Sequence, residues 1–438
     1  MHNRLNKFDI PFKGTDKYLF YFLLAIPAIN SIADSTLYYF VVYGEVQGLH
    51  PGTIRGALLL LFTFLFGFRR ISKDRQCILI MIFLGYIFIC TLFSSNVMYS
   101  FLLGYVKWFV PLLMYPVGLY FIRNYDLFLK LNISIIIGAL MVCINLIVAQ
   151  IGNYGMSVYV EDTFYIGGAG VGITNQLAII LLTYPFLLRL KRNKLSKAVW
   201  LLFYFVGLVS IVFIFIAMKR AAIICLITGL LICLYFARKK ILYIKYIIIS
   251  LIFFFSIYLF IEPIFIQRTD VRMEQMKNIE NEGRYREIFY ALDEFNDADV
   301  LQKLFGKEIF YTVESFGRKY FNSGRMIHSD LVNFFYGGGL IGFVLYILIY
   351  ISLFQNGLRC RTMLKPYGKG EELLMIYFAI LCGFFLISVT GSGTIGERSL
   401  VFLCLGGIMG VLKTLIKDSY SNTRLNGSIS TDINLISK

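Results

Sequence analysis

The chain has 438 residues, of which 58% are hydrophobic and only 16% are charged, and its mean hydropathy is +0.72. Soluble domains carry about 25% charged residues, so this composition excludes a soluble globular protein and predicts an integral membrane protein. The formal net charge of +16 would suit nucleic-acid binding in a soluble chain. Because most lysines and arginines fall in short segments between apolar runs, the positive-inside rule explains the charge better, and no nucleic-acid partner is expected.

The cysteines are scattered in or beside apolar runs. They are Cys77, Cys90, Cys143, Cys225, Cys233, Cys360, Cys382 and Cys404. None of them forms a Cys-x-x-Cys motif or pairs with a histidine in the sequence. We therefore expect neither structural disulfides nor a zinc site, and we predict no metal and no cofactor.

Apolar runs of the length needed to cross a hydrocarbon core of about 30 Å recur along the chain. We predict spans at 18–43, 54–68, 77–94, 101–122, 127–151, 171–188, 198–218, 221–236, 243–262, 331–354, 372–390 and 399–416. The predicted fold class is all-α: a polytopic membrane protein with about twelve transmembrane helices and one large extracytoplasmic loop. Its predicted parts are nine helices within 1–262, the loop 263–330, three helices within 331–418, and a disordered cytoplasmic tail, 419–438.

Basic residues cluster in alternate connecting segments, beginning with the N-terminal one. The intervening short segments have almost none; 44–53 and 95–100, for example, contain no lysine or arginine. By the positive-inside rule, the basic side and both termini are cytoplasmic, and the chain resides in the cell inner membrane as a multi-pass protein. The isolated basic residues on the other side need a separate reason; they are Arg55, Lys107, Lys219, Arg220 and Arg398.

The predicted loop contains two short apolar patterns. From Arg284 to Phe295, apolar residues recur at helical spacing, which predicts an amphipathic helix that could lie on the membrane surface or cap a cavity. A second apolar turn, Leu301–Phe305, ends before Gly306. The loop between 296 and 322 has no evident role, and we expect it to shape an acceptor groove.

His328 lies at the end of this loop, directly before the apolar run that starts at Leu331. Histidine can take up a proton near neutral pH, which suits a general base that activates a hydroxyl group. The alternative is an interfacial polar residue that caps the following helix.

Two arginines are candidate ligands for an anionic group. Arg220 follows Lys219 in a tight turn between two apolar runs, where cations are otherwise avoided; snorkelling to lipid phosphates is the alternative. Arg284 opens the amphipathic helix, and a guanidinium can hold phosphate oxygens in a bidentate manner. For Arg286, two residues later, a solvated surface charge is the favoured interpretation.

Further charged residues form a second tier of candidates. Lys107 lies inside a predicted span, where a central charge costs about 2.5–3.5 kcal/mol on insertion scales. The others are Lys219, Arg286, Arg325, Arg398 and Glu397. Gly337-Gly338-Gly339 also falls inside a span, which indicates close packing of helices and not a phosphate-binding loop.

The order of these motifs resembles the O-antigen polymerase and O-antigen ligase superfamily. The matching features are Lys219-Arg220-Ala221 before a span, Gly283-Arg284 opening a large loop, the turn at Gly306, and His328 before the Leu331, Gly339 and Gly342 span. They cover roughly the second half of the chain; the first half matches only in general topology.

The resemblance implies a glycosyltransferase that uses an undecaprenyl-diphosphate-linked sugar donor at the outer face of the membrane. It implies functional roles for Arg220, Arg284 and His328. Lys219 stands where the family often has a small hydroxyl residue, and Ser329 where asparagine is common. Both departures leave the choice between polymerase and ligase open.

The residues suit such a transfer on chemical grounds as well. A lipid diphosphate is a good leaving group, so the reaction needs a base for the acceptor hydroxyl and cations for the departing diphosphate. No Asp/His cluster suited to a metal is evident on the predicted outer side, so arginines would supply the positive charge. The hypothesis is therefore that His328 is the general base, with Arg220 and Arg284 as diphosphate clamps.

We favour a polymerase that joins undecaprenyl-diphosphate-linked repeat units into O-antigen or capsule, a preference that rests on the resemblance. A ligase that transfers the polymer to lipid A core differs only in its acceptor. A lipid-linked oligosaccharide flippase is the alternative from another class; Lys107 favours it, but repeated halves and polar midplane residues are not evident. Expected partners are the lipid-linked donor and acceptor, the bilayer and, optionally, a chain-length regulator.

Overall fold

The structure, a computed structural model, describes most of the chain. The described residues are 11–42, 45–46, 50–71, 73–155, 165–170, 172–189, 196–217, 219–237, 283–322, 324 and 326–425, with residues 240, 244, 248, 255, 262, 266 and 270. Within them the chain is predominantly helical, beside a short antiparallel pair of strands, β1 (Val41–Val42) and β2 (Glu45–Val46). Helices suit a chain in hydrocarbon because they satisfy their backbone polar groups internally.

The helices, with their bounds, follow in chain order. They are α1 (Thr15–Thr36), α2 (Pro51–Phe66), α3 (Arg75–Leu92), α4 (Val97–Phe121), α5 (Tyr125–Gly152), α6 (Ile173–Leu181), α7 (Tyr184–Arg189), α8 (Lys197–Ile216), α9 (Arg220–Phe236), α10 (Gly283–Asp297), α11 (Val300–Phe305), α12 (Asp330–Leu364), α13 (Glu371–Thr390) and α14 (Ile395–Leu425). In α4 one turn, Ser100–Tyr105, has the wider π-helical hydrogen bonding.

The chain is an all-α, multi-pass membrane protein. In the part of the chain that the structure describes, eight helices are long and apolar enough to cross a membrane: α1, α3, α4, α5, α8, α12, α13 and α14. Two further apolar helices, α2 and α9, have 16 and 17 residues. The predicted number of about twelve spans is therefore not confirmed. The predicted span 243–262 lies outside the continuously described residues, as does the start of the predicted loop at 263–282.

Two predicted boundaries are wrong. The predicted span 171–188 is divided into α6 and α7, because the chain turns at Leu182 and Thr183, where the Thr183 hydroxyl donates to the Ile180 carbonyl at 2.8 Å. Pro185 follows and disfavours a continuous helix at the preceding residue. The predicted disordered tail also begins too early, because α14 continues past residue 419 and Tyr420 contacts the ring of Tyr367.

The long helices give the molecule two distinct ends. Since α12, α13 and α14 are joined by short connections, His328 before α12 and the 391–394 connection between α13 and α14 lie at one end, here called the His328 end. At the opposite end the start of α1 meets the end of α4, where the Tyr120 hydroxyl donates to Asp16 Oδ2 at 2.7 Å. The core between the two ends is apolar.

Helices α4 and α14 pack with their backbones close together. A Cβ atom added to Gly406 would stand 2.0 Å from the Tyr115 carbonyl oxygen, and one added to Gly118 would stand 2.5 Å from that of Leu403. Small residues at such positions are the usual means of close packing between membrane helices. This contact fixes Arg398, near the start of α14, relative to Lys107 on α4.

The glycines of α12 also allow close packing, as the sequence indicates. Their partner is the backbone of the 304–309 segment and not the backbone of another membrane-spanning helix. Gly339 has φ +60° and breaks the helix, and a Cβ added there would stand 2.4 Å from the Gly306 nitrogen. The Tyr86 hydroxyl donates to the Gly338 carbonyl at 2.5 Å. A left-handed backbone conformation at so close a contact requires glycine. The α10–α11 region is thereby attached to the helices.

The segment 283–329 folds onto the start of α12. The predicted amphipathic helix is confirmed as α10, and the predicted apolar turn at 301–305 is part of a short helix, α11. The sequence gives no role to the middle of this segment, residues 296–322. In the structure a small apolar cluster packs it against α10 and α12; the cluster contains Ala291, Phe316, Ile327, Val332 and Tyr336. Glu294 of α10 lies beneath this segment and accepts hydrogen bonds from Lys307, Lys319 and Tyr320. Its position ties three parts of the segment together.

Glu294 is expected to make the stability of the protein depend on pH. Burial opposes its ionisation, but the hydrogen bonds from Lys307, Lys319 and Tyr320 outweigh burial and lower the pKa of Glu294 to about 2. A lowered folded-state pKa stabilises the fold above pH 4.5 and loses that contribution as the pH falls toward 2. We expect Glu294→Gln to cost about 1–3 kcal/mol at pH 7 and roughly half as much near pH 3, because the rest of the stabilisation is lost only as the pH falls through about 2.

Thermal unfolding of the purified protein in detergent at both pH values checks this. Glu314→Gln is the matched control, because its ion pair with Arg318 is exposed, at 47% and 66% of the two side chains, and should contribute little. An equal loss of stability for Glu294→Gln at pH 7 and pH 3 would contradict the pKa shift as its cause.

Candidate active site

His328 and Glu287 form a hydrogen-bonded pair. The His328 ring nitrogen Nδ1 lies 3.1 Å from Glu287 Oε1, and the His328 backbone N–H donates to Glu287 Oε2 at 3.0 Å. The Glu287 side chain is 1% exposed, whereas that of His328 is 50% exposed. An ionised Glu287 accepts the Nδ1 proton, so the Nε2 lone pair is left to accept a proton from solvent or substrate.

The backbone around His328 is fixed by neighbouring helices. The Ser329 hydroxyl donates to the Val389 carbonyl at 3.0 Å, and Asp330 donates its backbone N–H to the Gly391 carbonyl at 3.2 Å. Ser329 is also the N-cap of α12, as its side chain accepts from Val332 N. The histidine thus stands at a rigid junction between α10, the start of α12 and the end of α13.

Arg284 approaches the same junction from α10. A Cβ atom added to Gly391 would stand 3.9 Å from Arg284 Nη2, so the guanidinium lies beside the backbone that holds Asp330. Arg284 and Glu287 are three residues apart and share a face of α10. Among the described residues the guanidinium has no hydrogen-bond or ion-pair partner. It is therefore available to an anion next to His328.

The Lys219-Arg220 turn supplies further positive charge at this end. Burial lowers the pKa of Lys219, Glu397 opposes that shift, and Arg284 adds to it, so Lys219 stands within electrostatic range of Arg284. Arg220 is the first residue of α9 and its side chain is exposed. The sequence pairs Arg284 with Arg220 as candidate ligands, whereas in the structure the second-tier candidate Lys219 also lies near Arg284.

Arg398, another second-tier candidate, has a structural role. Its Nη2 donates to Asp330 Oδ1 at 2.6 Å and to Ser392 Oγ at 2.9 Å, and its Nη1 donates to the Lys107 carbonyl at 3.2 Å. The guanidinium stacks 4.0 Å from the Trp108 ring centroid, and both side chains of the ion pair are 3% exposed. Nη1 and Nη2 are thus used inside the protein, and only Nε has no acceptor among the described residues. This arrangement favours a structural role for Arg398 over the predicted ligand-binding role.

The buried Asp330–Arg398 ion pair gives a testable prediction for stability. Removing one charge of a buried pair leaves the other uncompensated, which costs about 3–5 kcal/mol. We expect Asp330→Asn to lower the melting temperature strongly, and the double variant Asp330→Leu with Arg398→Met to recover much of the loss. An unchanged melting temperature for Asp330→Asn would contradict this role.

Glu397 caps α14. The Thr394 backbone N–H donates to Glu397 Oε2 at 2.6 Å, and the Glu397 backbone N–H donates to Thr394 Oγ1 at 3.1 Å. This reciprocal arrangement is a capping box, which the Thr394-x-x-Glu397 spacing could have indicated. Glu397 is completely buried and acts on Lys219 electrostatically. Oε2 makes the cap, whereas the buried Oε1 has no hydrogen-bond partner among the described residues.

The remaining candidates lie in different environments. The Lys107 side chain is exposed, two residues after the π-helical turn of α4. Arg286 donates to the Tyr290 hydroxyl at 2.9 Å and packs against the Phe321 ring at 5.1 Å, so it stabilises the 283–329 segment and is not a surface charge. Arg325 lies outside the described residues.

Glu287 and Asp330 do not stand out in the sequence as site residues. Glu287 falls on the polar side of the α10 pattern, where a solvated charge is the ordinary interpretation, yet it is 1% exposed. Glu287 follows Arg284 by three residues, and this helical spacing could have indicated that the two side chains share a face. Asp330 is a charge at the start of an apolar span, and such a charge usually has a partner; that partner, Arg398, is 68 residues away.

The described residues contain no group of three His, Cys, Asp or Glu side chains arranged to hold a metal ion. The absence of a metal remains a prediction. Comparison with models of known protein families finds no match, and comparison with curated proteins finds no relative.

Proposed function

We propose that this protein is a membrane glycosyltransferase that polymerises undecaprenyl-diphosphate-linked oligosaccharide repeat units into O-antigen or capsule. The observation that carries the proposal is the Glu287–His328 pair beside the guanidinium of Arg284, which has no partner among the described residues. A base held by a buried carboxylate, next to cations, is the combination that transfer from a lipid diphosphate to a sugar hydroxyl requires.

In the proposed reaction, His328 Nε2 accepts the proton of the acceptor hydroxyl as its oxygen attacks the anomeric carbon of the donor sugar. The bond between that carbon and the diphosphate oxygen breaks, and the diphosphate leaves with the electron pair. Glu287 stabilises the imidazolium that forms. Arg284, Lys219 and Arg220 neutralise the departing diphosphate, whose charge increases in the transition state.

The surface of α10 favours a substrate that is anchored in lipid. The face opposite Glu287 exposes Tyr285, Ile288, Phe289 and Leu292, each by 41–45%. An amphipathic helix with such a face suits the membrane interface, where the diphosphate of a lipid carrier resides. Arg284 would then face that diphosphate from the same helix.

The finer topology belongs to this proposal. Under it, the 263–330 segment is a large loop at the outer face, and both termini are cytoplasmic. Four crossings are added to the eight long helices: α2, α9, α6 with α7, and the 243–262 segment, which gives twelve. Alternation of basic residues along the sequence supports this orientation. Cysteine labelling of single introduced residues at 314 and 365 from either side checks it: label at 314 from outside and at 365 from inside is expected.

Arg284→Lys is expected to lower the transfer rate about tenfold. Lysine keeps the charge but cannot hold two phosphate oxygens in a fixed fork, and one charge-assisted hydrogen bond corresponds to about that factor. The rate of transfer from a lipid-linked donor measures it, with Arg318→Lys as control because Arg318 is 66% exposed in a surface pair. Equal rates for wild type and Arg284→Lys would contradict a bidentate role.

A glycan profile of cells lacking the protein distinguishes the functions. Single-repeat products are expected for a polymerase. Complete polymer that stays on its lipid carrier would indicate a ligase, and lipid-linked units retained on the inner face would indicate a flippase.

A further inference from the structure

A basic cavity lies at the opposite end of the molecule from His328. It has a volume of about 440 Å³, between the end of α4 and the last turns of α14. Four cationic side chains line it: Arg70, Arg123, Lys413 and Lys417. The proposed transfer does not use this cavity, since the helices separate it from the Glu287–His328 pair.

The packing of α4 and α14 brings these cations together. Lys413 and Lys417 are four residues apart and therefore share a face of α14. One turn earlier, a Cβ atom added to Gly410 would stand 2.3 Å from the Ile122 carbonyl oxygen, so the glycine allows α14 to approach the end of α4, next to Arg123. Charges from both helices thus border one space.

The carboxylates nearby balance only part of this charge. Arg70 pairs with Asp16, whose Oδ1 lies 2.9 Å from Nη2, and Lys413 pairs with Asp74. Four cations against two carboxylates leave two positive charges. They are on Arg123 and Lys417, which have no carboxylate partner among the described residues.

Arg123 is held in a fixed orientation. Its Nε donates to the Tyr120 carbonyl at 2.8 Å, and its guanidinium carbon lies 5.1 Å from the centroid of the Tyr120 ring. The terminal nitrogens have no acceptor among the described residues. A guanidinium fixed in this way and left with free donors matches the oxygens of a phosphate group.

We propose that this cavity binds a phosphate oxyanion. One source is the phosphodiester of an anionic phospholipid, because basic pockets between helices at the cytoplasmic side bind such headgroups and the sequence predicts this end to be cytoplasmic. The other source is a soluble phosphate or diphosphate, which presents the same oxygens. The inference is independent of the transfer reaction at the other end.

Native mass spectrometry of the purified full chain in neutral detergent tests the proposal, with phosphatidylglycerol and phosphatidylcholine as probes. We expect phosphatidylglycerol to bind more tightly, and the Arg123→Gln, Lys417→Gln double variant to bind it about 30-fold less tightly, which corresponds to about 1 kcal/mol for each basic side chain. The control Arg359→Gln, Lys365→Gln removes two exposed cations at the same end, outside the cavity, and should bind like wild type.

Soluble sources are tested by adding inorganic phosphate or pyrophosphate and measuring thermal stability. Stabilisation that disappears in the double variant and persists in the control supports the site with a soluble ligand. Lys417→Gln alone removes an exposed side chain and should weaken binding about fivefold, which keeps the test valid if the double variant unfolds. Two results would overturn the proposal. One is equal binding of phosphatidylglycerol and phosphatidylcholine together with no stabilisation by phosphate or pyrophosphate. The other is an equal loss of binding in the double variant and in the control.

Discussion

Replacing His328 with alanine is expected to lower the rate of oligosaccharide transfer by a factor of about 10²–10⁴, the usual contribution of a positioned general base. The imidazole is half exposed and its Nδ1 is bound to Glu287, so Nε2 is the atom that would accept the hydroxyl proton. In the proposed reaction, cations from α10 and the 219–220 turn bind the donor, and the substitution leaves them in place. The loss should therefore be in kcat, with little change in KM for the donor.

His50→Ala is the matched control. His50 also lies at the His328 end, since it precedes α2 and follows the end of α1, and its Nε2 is 2.9 Å from the Thr53 hydroxyl. It should transfer at the rate of wild type. Full activity in His328→Ala, in protein that melts at the wild-type temperature, would remove the base from the mechanism.

Glu287→Gln is expected to lower the transfer rate nearly as much as the loss of the histidine. A neutral amide can donate its N–H to Nδ1, which favours the tautomer with the proton on Nε2 and blocks that atom as a base; the same change in a serine protease triad costs about 10⁴-fold. The amide also fails to stabilise the imidazolium. Glu287 is thus a positioning residue, and its effect should depend on His328.

A double-mutant cycle measures that dependence. Once His328 is alanine, Glu287→Gln should change the rate little, whereas independent residues would show additive losses. Glu314→Gln, at an exposed position of the same segment, serves as control. Additive effects, or a loss in Glu287→Gln that follows a lowered melting temperature, would indicate a structural role only.

Charged residues that are buried, although charged side chains are usually exposed to solvent, were the hardest to interpret from the sequence. His328 and Arg284 stand out because a histidine and an arginine at the edge of apolar runs are unusual. Glu287 does not stand out, because on a helix with exposed apolar residues the polar face is ordinarily the solvated one. In the structure the relation is reversed: Glu287 and Glu294 face inward, and Tyr285 and Leu292 face outward.

Long-range pairing explains the other differences. Arg398 resembled a ligand-binding cation because its partner, Asp330, is distant in sequence and close only after α12 and α14 have packed. Arg286 likewise depends on Tyr320 and Phe321. The predicted helical spans α1, α3 and α5 follow directly from apolar runs, whereas the break between α6 and α7 depends on local turn chemistry that hydropathy does not report.

Reconstituted transfer is the decisive measurement. Purified protein in vesicles would be given an undecaprenyl-diphosphate-linked oligosaccharide with a labelled sugar, and the products would be resolved by length. We expect ladders of two or more repeat units together with released undecaprenyl diphosphate, and neither from His328→Ala. Labelled lipid that crosses the bilayer without elongation, or ladders that form equally well with His328→Ala, would contradict the proposed transferase.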